Sequence, residues 1–231
     1  MKDNSINIVQ SYWSESYDNQ VNFGWYNKTF HYMSWALSCL RLSQYYDNLS
    51  LITDSEGAQM LIDKLRLPYT SVSCDLDELK NSNKHLWTLG KLHAYEMQDN
   101  PFIHVDGDIF IWRKFPEAIT KAELLSQNEE IEYIFNCELM EKMLNADFVF
   151  PKKINPSLHV TESNAGIIGG YNTDFFKQYV DEAKWFMKNN EKRILNFING
   201  TQSVNTIMKQ YLFNELAKAN GISVTYLFKD I

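Results

Sequence analysis

The stretch Pro101-Phe102-Ile103-His104-Val105-Asp106-Gly107-Asp108-Ile109-Phe110-Ile111-Trp112 decides how the chain is read. Residues 101–105 form a short, nearly unbroken apolar run, the pattern of a strand buried on both faces. The run stops at Asp106-Gly107-Asp108, and the pattern predicts that it resumes as strand over 109–112. A tight turn at the end of a buried strand can aim two carboxylates at one point, and the glycine between them supplies unusual backbone angles. Mg²⁺ and Mn²⁺ take oxygen ligands, commonly one or two carboxylates together with substrate phosphates. Two neighbouring carboxylates also repel each other unless a cation lies between them. The bland alternative is a surface turn, where Asp and Gly are simply favoured.

Working outward, Ile6–Gln10 reads as a first strand that ends in Ser11-Tyr12-Trp13-Ser14. Residues 26–45 carry Phe30, Met33, Leu37 and Leu40 at helical spacing, which predicts an amphipathic helix with these as its apolar face. Leu49–Thr53 is a second strand, followed by Asp54-Ser55-Glu56-Gly57 and a helix over 58–67 that Pro68 stops. Tyr69–Ser73 is a third strand and Leu86–Met97 a helix with Leu89, Leu92 and Tyr95 in frame. Beyond the motif, 117–145 reads as helix-rich and polar. Gly166–Gly170 is a short apolar run bracketed by glycines, 173–189 and 202–220 are helices, and Ile222–Phe228 is a last strand. The alternation predicts an α/β fold, one domain over 1–231, with a central, mostly parallel mixed sheet flanked by helices. Ligands of such sheets sit beyond the carboxyl ends of the strands. That rule selects 10–14, 53–56 and 106–108.

Composition removes whole classes of function. Twenty-two basic against 29 acidic residues give a net charge of −7, the wrong sign for a nucleic-acid footprint. No apolar run approaches the roughly 20 residues of a transmembrane segment, and the start of the chain has no secretory leader pattern. Cys39, Cys74 and Cys137 are far apart and odd in number, which argues against a disulfide framework or zinc knuckle and for a reducing cytoplasm, with the inner face of the membrane as a second placement. No G-x-G-x-x-G follows the first strand and no G-x-S-x-G occurs, so dinucleotide-binding and esterase readings fail. A phosphatase with an aspartate nucleophile would carry its D-x-D on the first strand.

Four stretches together resemble the GT-A-fold glycosyltransferases that use nucleotide-sugar donors. Asp106-Gly107-Asp108 resembles their DxD motif. Trp87-Thr88-Leu89-Gly90-Lys91-Leu92 resembles the helix before it, and Ser163-Asn164-Ala165-Gly166-Ile167-Ile168-Gly169-Gly170 resembles the N-x-G strand after it. Thr201-Gln202-Ser203-Val204-Asn205 is similar to the D-Q-D-x-x-N stretch of the family 8 type, but Thr201 and Ser203 replace both acids. The C-terminal histidine ligand of many metal-dependent members has no counterpart, the last histidine being His159. The resemblance covers roughly residues 6–215. It implies a single GT-A-like, Rossmann-like domain, a nucleoside-diphosphate sugar as donor (UDP by frequency), Mn²⁺ or Mg²⁺ as cofactor, and an acceptor such as a cell-surface glycan. The missing histidine implies a metal site of two carboxylates and water or a site without that ligand, and the departures are compatible with a C-terminally shortened chain or with a binding protein of this shape that has lost catalysis.

The resemblance also assigns roles. Asp108 coordinates the metal, with Asp106 on the ribose or on the metal's other side. Gln10, Ser11 and Tyr12 hold the base, with Tyr12 stacking on it. Asp54 meets the base or ribose, or else caps the following helix. Lys91 faces the pyrophosphate, or is a solvated helix lysine. Asn164, Ala165 and Gly166 line the sugar pocket, Gln202 touches the reacting face of the sugar, and Glu162 is an acid near the acceptor.

Overall fold

The computed structural model describes residues 6–16, 21–197 and 204–228. Eight strands form one sheet: β1 (Asn7–Tyr12), β2 (Leu49–Thr53), β3 (Ser71–Ser73), β4 (Phe102–Val105), β5 (Leu124–Ile131), β6 (Thr161–Ser163), β7 (Ile167–Gly170) and β8 (Val224–Phe228). Their order is β3-β2-β1-β4-β7-β5-β6, with β8 pairing β5 off this path. The first four are mutually parallel, whereas β7 runs antiparallel to both β4 and β5. β5 also pairs β6 antiparallel and β8 parallel. The expected α/β fold with a mixed, helix-flanked sheet is therefore the fold observed.

Helices cover both faces, and the strands alternate between two cores. Val9, Phe102, Leu124 and Ile168 point to one core, with α2 (Thr88–Glu96), α3 (Ile134–Asn145), α4 (Thr173–Asn189) and α5 (Leu212–Ala219). Their neighbours Ile8, Ile103, Leu125 and Ile167 point to the other, beneath α1 (Lys28–Tyr45). The order 3-2-1-4 reverses between β1 and β4. Ligands of open α/β sheets bind at such a switch point.

Three expectations need correction. The strand does not resume at 109–112. That segment has no strand partner and folds over α1, where Ser38 Oγ donates to the Ile109 carbonyl at 2.7 Å and Arg41 Nε to the Ile111 carbonyl at 2.9 Å. The stretch 117–145 is helical at its two ends, Glu117–Thr120 and α3, but between them it also holds β5, which hydrogen-bonds to three other strands. Finally, α1 lies the other way round. Phe30, Met33, Leu37 and Leu40 are exposed, and the buried face is His31, Ser34, Trp35, Ser38, Cys39 and Leu42. The reason is local: α1 sits on the Asp106–Ile109 turn, whose carbonyls need donors. Ser34 Oγ donates to the Gly107 carbonyl at 2.9 Å and Ser38 Oγ lies 3.3 Å from that of Asp106.

Candidate functional site

A cleft of about 260 Å³ opens at the carboxyl ends of β1 and β4. Its floor is the Asp106–Asp108 turn and Ser11, and its walls come from α1, the start of α2 and the π-helical turn Ile207–Tyr211 that leads into α5. Gly107 does not have a positive φ, so the turn needs no special backbone angles. What a side chain at 107 would meet is the Trp35 indole, with three ring atoms closer than 3.0 Å. The glycine is there for the close approach of α1.

The two carboxylates have different surroundings. Asp106 accepts an ion-paired hydrogen bond at Oδ2 from Lys91 Nζ at 2.5 Å, and both side chains are largely buried. Its Oδ1 is buried without a hydrogen-bond partner, 3.7 Å from His104 Nδ1. Burial pushes the His104 pKa down to about 3, so the ring is neutral, and its Nε2 lies 2.9 Å from Ser11 Oγ. Asp108 faces the open side. Desolvation by the surrounding chain, then the Asp106 charge, raise its pKa, against the pull of Lys91 and Lys209.

Lys209 was not among the residues singled out from sequence, and a lone lysine in a helical pattern gives no signal. Its Nζ lies 4.7 Å from the centroid of the Trp87 ring, and Lys91 Nζ lies 5.8 Å from it. One indole thus carries two ammonium groups at cation–π distance. Asn205 fixes this wall. Its Oδ1 accepts from the Thr88 amide at 3.1 Å and its Nδ2 donates to the His85 carbonyl at 2.8 Å. The C-terminal helical segment is thereby tied to the start of α2, the helix that carries Lys91. Trp25 and His31 complete the wall, and burial lowers the His31 pKa to about 4.

Of the sequence candidates, Ser11, Lys91, Asp106 and Asp108 meet at this cleft. Gln10 does not. It is fully buried, its Nε2 donates to Ser38 Oγ at 3.0 Å and the Val105 carbonyl at 3.2 Å, and its Oε1 accepts from Tyr69 at 2.8 Å. Tyr12 is buried as well and packs edge-on against Trp35 at 4.9 Å. Asp54 caps the short helix Ser55–Ala58 through Gly57 at 2.7 Å, while its other oxygen accepts from the Ser14 amide and hydroxyl. It borders a separate pocket. Asn164 makes a turn onto the Gly166 amide at 2.9 Å and donates to Glu130 at 2.6 Å, Ala165 is buried, and the Gly166 carbonyl accepts from the Asp106 amide at 2.9 Å. These three residues brace the motif turn from behind. Gln202 lies outside the described residues.

Residues 6–231 match the model of a family described as a family of unknown function, DUF6734. The chain belongs to that family. No curated protein matches it. Among solved structures, the crystal structure of mouse xyloside xylosyltransferase 1 in its apo form is similar at 9% identity and a TM-score of 0.45, over 96% of this chain and 84% of that one.

Glu162 stands apart from the cleft walls, on β6, with no exposure. Asn136 donates to its Oε2 at 2.6 Å and Gln210 at 3.3 Å, and Gln210 also reaches Glu130 at 3.2 Å. Burial first, then the Glu130 charge, push the Glu162 pKa up to about 8, so it holds a proton at neutral pH. Lys209 and Gln210 are adjacent on the π-helical turn, one at the cleft and the other on this carboxyl pair. Such turns are frequent at functional positions.

The donor set for a divalent cation is narrow. Among the described residues no group of three or more His, Cys, Asp or Glu could hold an ion. Asp106 is bonded to Lys91 on one oxygen and sealed on the other, which leaves Asp108 as the accessible carboxylate. One carboxylate with substrate phosphates and water is a known way to hold Mg²⁺, so the residues fit a cation brought in with a phosphorylated ligand.

Proposed function

We propose that this protein transfers a sugar from a nucleoside-diphosphate sugar, with UDP as the nucleotide, to an acceptor such as a cell-surface glycan. The observation that carries the reading is the Asp106-Gly107-Asp108 turn at the switch point, facing a cleft with Lys91 and Lys209 on one wall. In this reading the two ammonium groups meet the diphosphate. Asp108 holds Mn²⁺ or Mg²⁺, with Asp106 joining only if Lys91 releases it. The cation would act as a Lewis acid on the leaving diphosphate. The chain's own part is electrostatic. Lys91 and Lys209 stabilise negative charge as the bond from the anomeric carbon to phosphate oxygen breaks, and positive charge spreads over the sugar ring. Trp25 and Trp87 offer flat apolar surfaces for the sugar or base.

The Lys91–Asp106 pair also supports a second reading, a nucleotide- or glycan-binding protein of this shape without turnover, because the pair occupies one of the two motif carboxylates. Melting temperatures with UDP or UDP-sugars, with and without Mn²⁺, followed by donor hydrolysis assays, separate the two. Transfer predicts a metal-dependent rise that EDTA cancels, together with donor consumption. A rise without consumption of any donor selects the binding protein, and equal shifts with and without metal remove the cation from Asp108.

A further inference from the structure

The inverted α1 leaves an apolar face with no partner in the fold. Phe30, Met33, Leu37 and Leu40 line one side of the helix at i, i+3, i+7 and i+10, with Met33 58% exposed. Tyr26 at its start is 91% exposed and Trp112 on the adjacent loop 67%. The loop is fixed to the helix, so the two make one surface. Arg41 donates to the Ile111 carbonyl at 2.9 Å, its guanidinium lies 4.4 Å from the centroid of the Trp112 ring, and Tyr45 donates to the Trp112 carbonyl.

Charge distinguishes this face from the rest of the molecule. Segments 26–46 and 109–116 contain Lys28, Arg41, Arg113 and Lys114 and no Asp or Glu, in a chain of net charge −7. The acids that follow the two segments are Asp47 and Glu117, and Glu117 is ion-paired with Lys121. A second exposed apolar group, Ile131, Tyr133, Ile134 and Phe135, is flanked by Glu129, Glu130 and Glu132 and has the opposite character. A convex helix with an apolar stripe, aromatic residues at its margins and only basic charges matches an interfacial helix on anionic lipid. Trp and Tyr favour the headgroup level.

We propose that the outer face of α1 and the 109–116 loop dock on an anionic lipid bilayer surface, with the helix flat in the interface and Lys28, Arg41, Arg113 and Lys114 facing lipid headgroups. Docking is independent of the sugar-transfer reading. It places the cleft about one helix diameter, roughly 10 Å, from the bilayer, because His31, Ser34 and Trp35 on the inner side of α1 line that cleft.

The test is co-sedimentation of the full chain with phosphatidylcholine vesicles and with vesicles containing a quarter phosphatidylglycerol, at low and at 0.5 M salt. Binding to the anionic vesicles alone, weakened by salt, is expected. The double variant Arg113→Glu/Lys114→Glu should lower the partition coefficient roughly tenfold or more. Met33→Glu/Leu37→Glu should abolish binding while melting normally, since both side chains are exposed, and Ile134→Glu/Phe135→Glu should bind as wild type. Absence of vesicle binding, or equal binding to both vesicle types, overturns the proposal. A mass in light scattering that rises with protein concentration and returns to monomer in Met33→Glu/Leu37→Glu, without vesicle binding, assigns the face to a second copy of the chain instead.

Discussion

The parallel half of the sheet and the mixed half each bury a carboxyl group next to the same π-helical turn, and they treat it in opposite ways. Asp106, at the end of β4, is matched by the ammonium of Lys91 from α2. Glu162, within β6, has two amides and a second carboxylate for neighbours and keeps its proton up to about pH 8. A strand end borders a helix that can deliver a cation, as α2 delivers Lys91 to Asp106. Glu162 is met by neutral amides, Asn136 from α3 and Gln210 from the π-helical turn, and by the Glu130 carboxylate from β5, so burial favours the protonated form. Lys91 and Asp106 compensate each other, and Asp108 and Lys209 line the same cleft beside them.

Removing the compensation should produce the largest effect. Lys91→Met leaves the Asp106 carboxylate buried without its cation and should cost about 3–5 kcal/mol in denaturant unfolding. Adding Asp106→Asn should restore most of that loss. A small loss in the single variant, or no rescue in the double, would erase the contrast between the two halves.

The next effect is read as a pH profile. Unfolded Glu162 releases its proton near the ordinary value of 4.5, whereas the folded protein holds it to about pH 8. The folded state therefore binds more protons across that window, and this contribution to stability, full below about pH 4.5, is lost as pH rises towards 8. Glu162→Gln keeps the hydrogen bonds and cannot ionise, so its stability relative to wild type should grow by something on the order of 3 kcal/mol between pH 5 and pH 8 and level off above. Parallel melting curves for the two proteins over that range would show Glu162 to be charged.

Asp108→Asn removes the carboxylate that faces the open side of the cleft. Turnover of the donor should fall at least about 100-fold, near 2.7 kcal/mol, while metal-free melting stays constant or rises because the like charge of Asp106 is no longer opposed. Normal turnover would remove Asp108 from the chemistry. The smallest effect expected is for Gly107→Ala, about 1–3 kcal/mol of overpacking against Trp35. Its partial recovery in a Trp35→Phe background, measured by melting, checks that close approach and not backbone strain sets the glycine.

The motif turn and the β-α alternation before it were legible because each strand there is a compact apolar run and each connection a helix of clear period. Ile6–Gln10, Leu49–Thr53 and Phe102–Val105 read correctly for that reason. β5 was not legible: Ser126, Gln127, Asn128, Glu129 and Glu130 are polar because their side chains serve the loops behind the cleft, as Ser126 does by donating to the Asn164 carbonyl at 2.6 Å. Local composition there argues for anything but a strand that bonds to three others. Gln10 and Tyr12 looked like ligand contacts because polar and aromatic residues at a strand end often are. Pairing with β2 and contact with α1 turned both inward.

Residue order and periodicity suffice for the α/β class, the place of the Asp106–Asp108 turn at a strand end and the presence of Lys91 on the helix before it, since these are local properties of the chain. Tertiary structure alone decided that Lys91 neutralises Asp106 and that Lys209 joins it across Trp87. It also decided that Glu162 keeps its proton and that α1 turns its serines inward and its apolar stripe out. Each of those outcomes depends on which groups meet across the fold, 15 residues apart for Lys91 and Asp106 and 73 for Ser34 and Gly107. Burial energies, charge pairing and hydrogen-bond satisfaction act on those meetings, and a pattern of neighbours in sequence does not contain them.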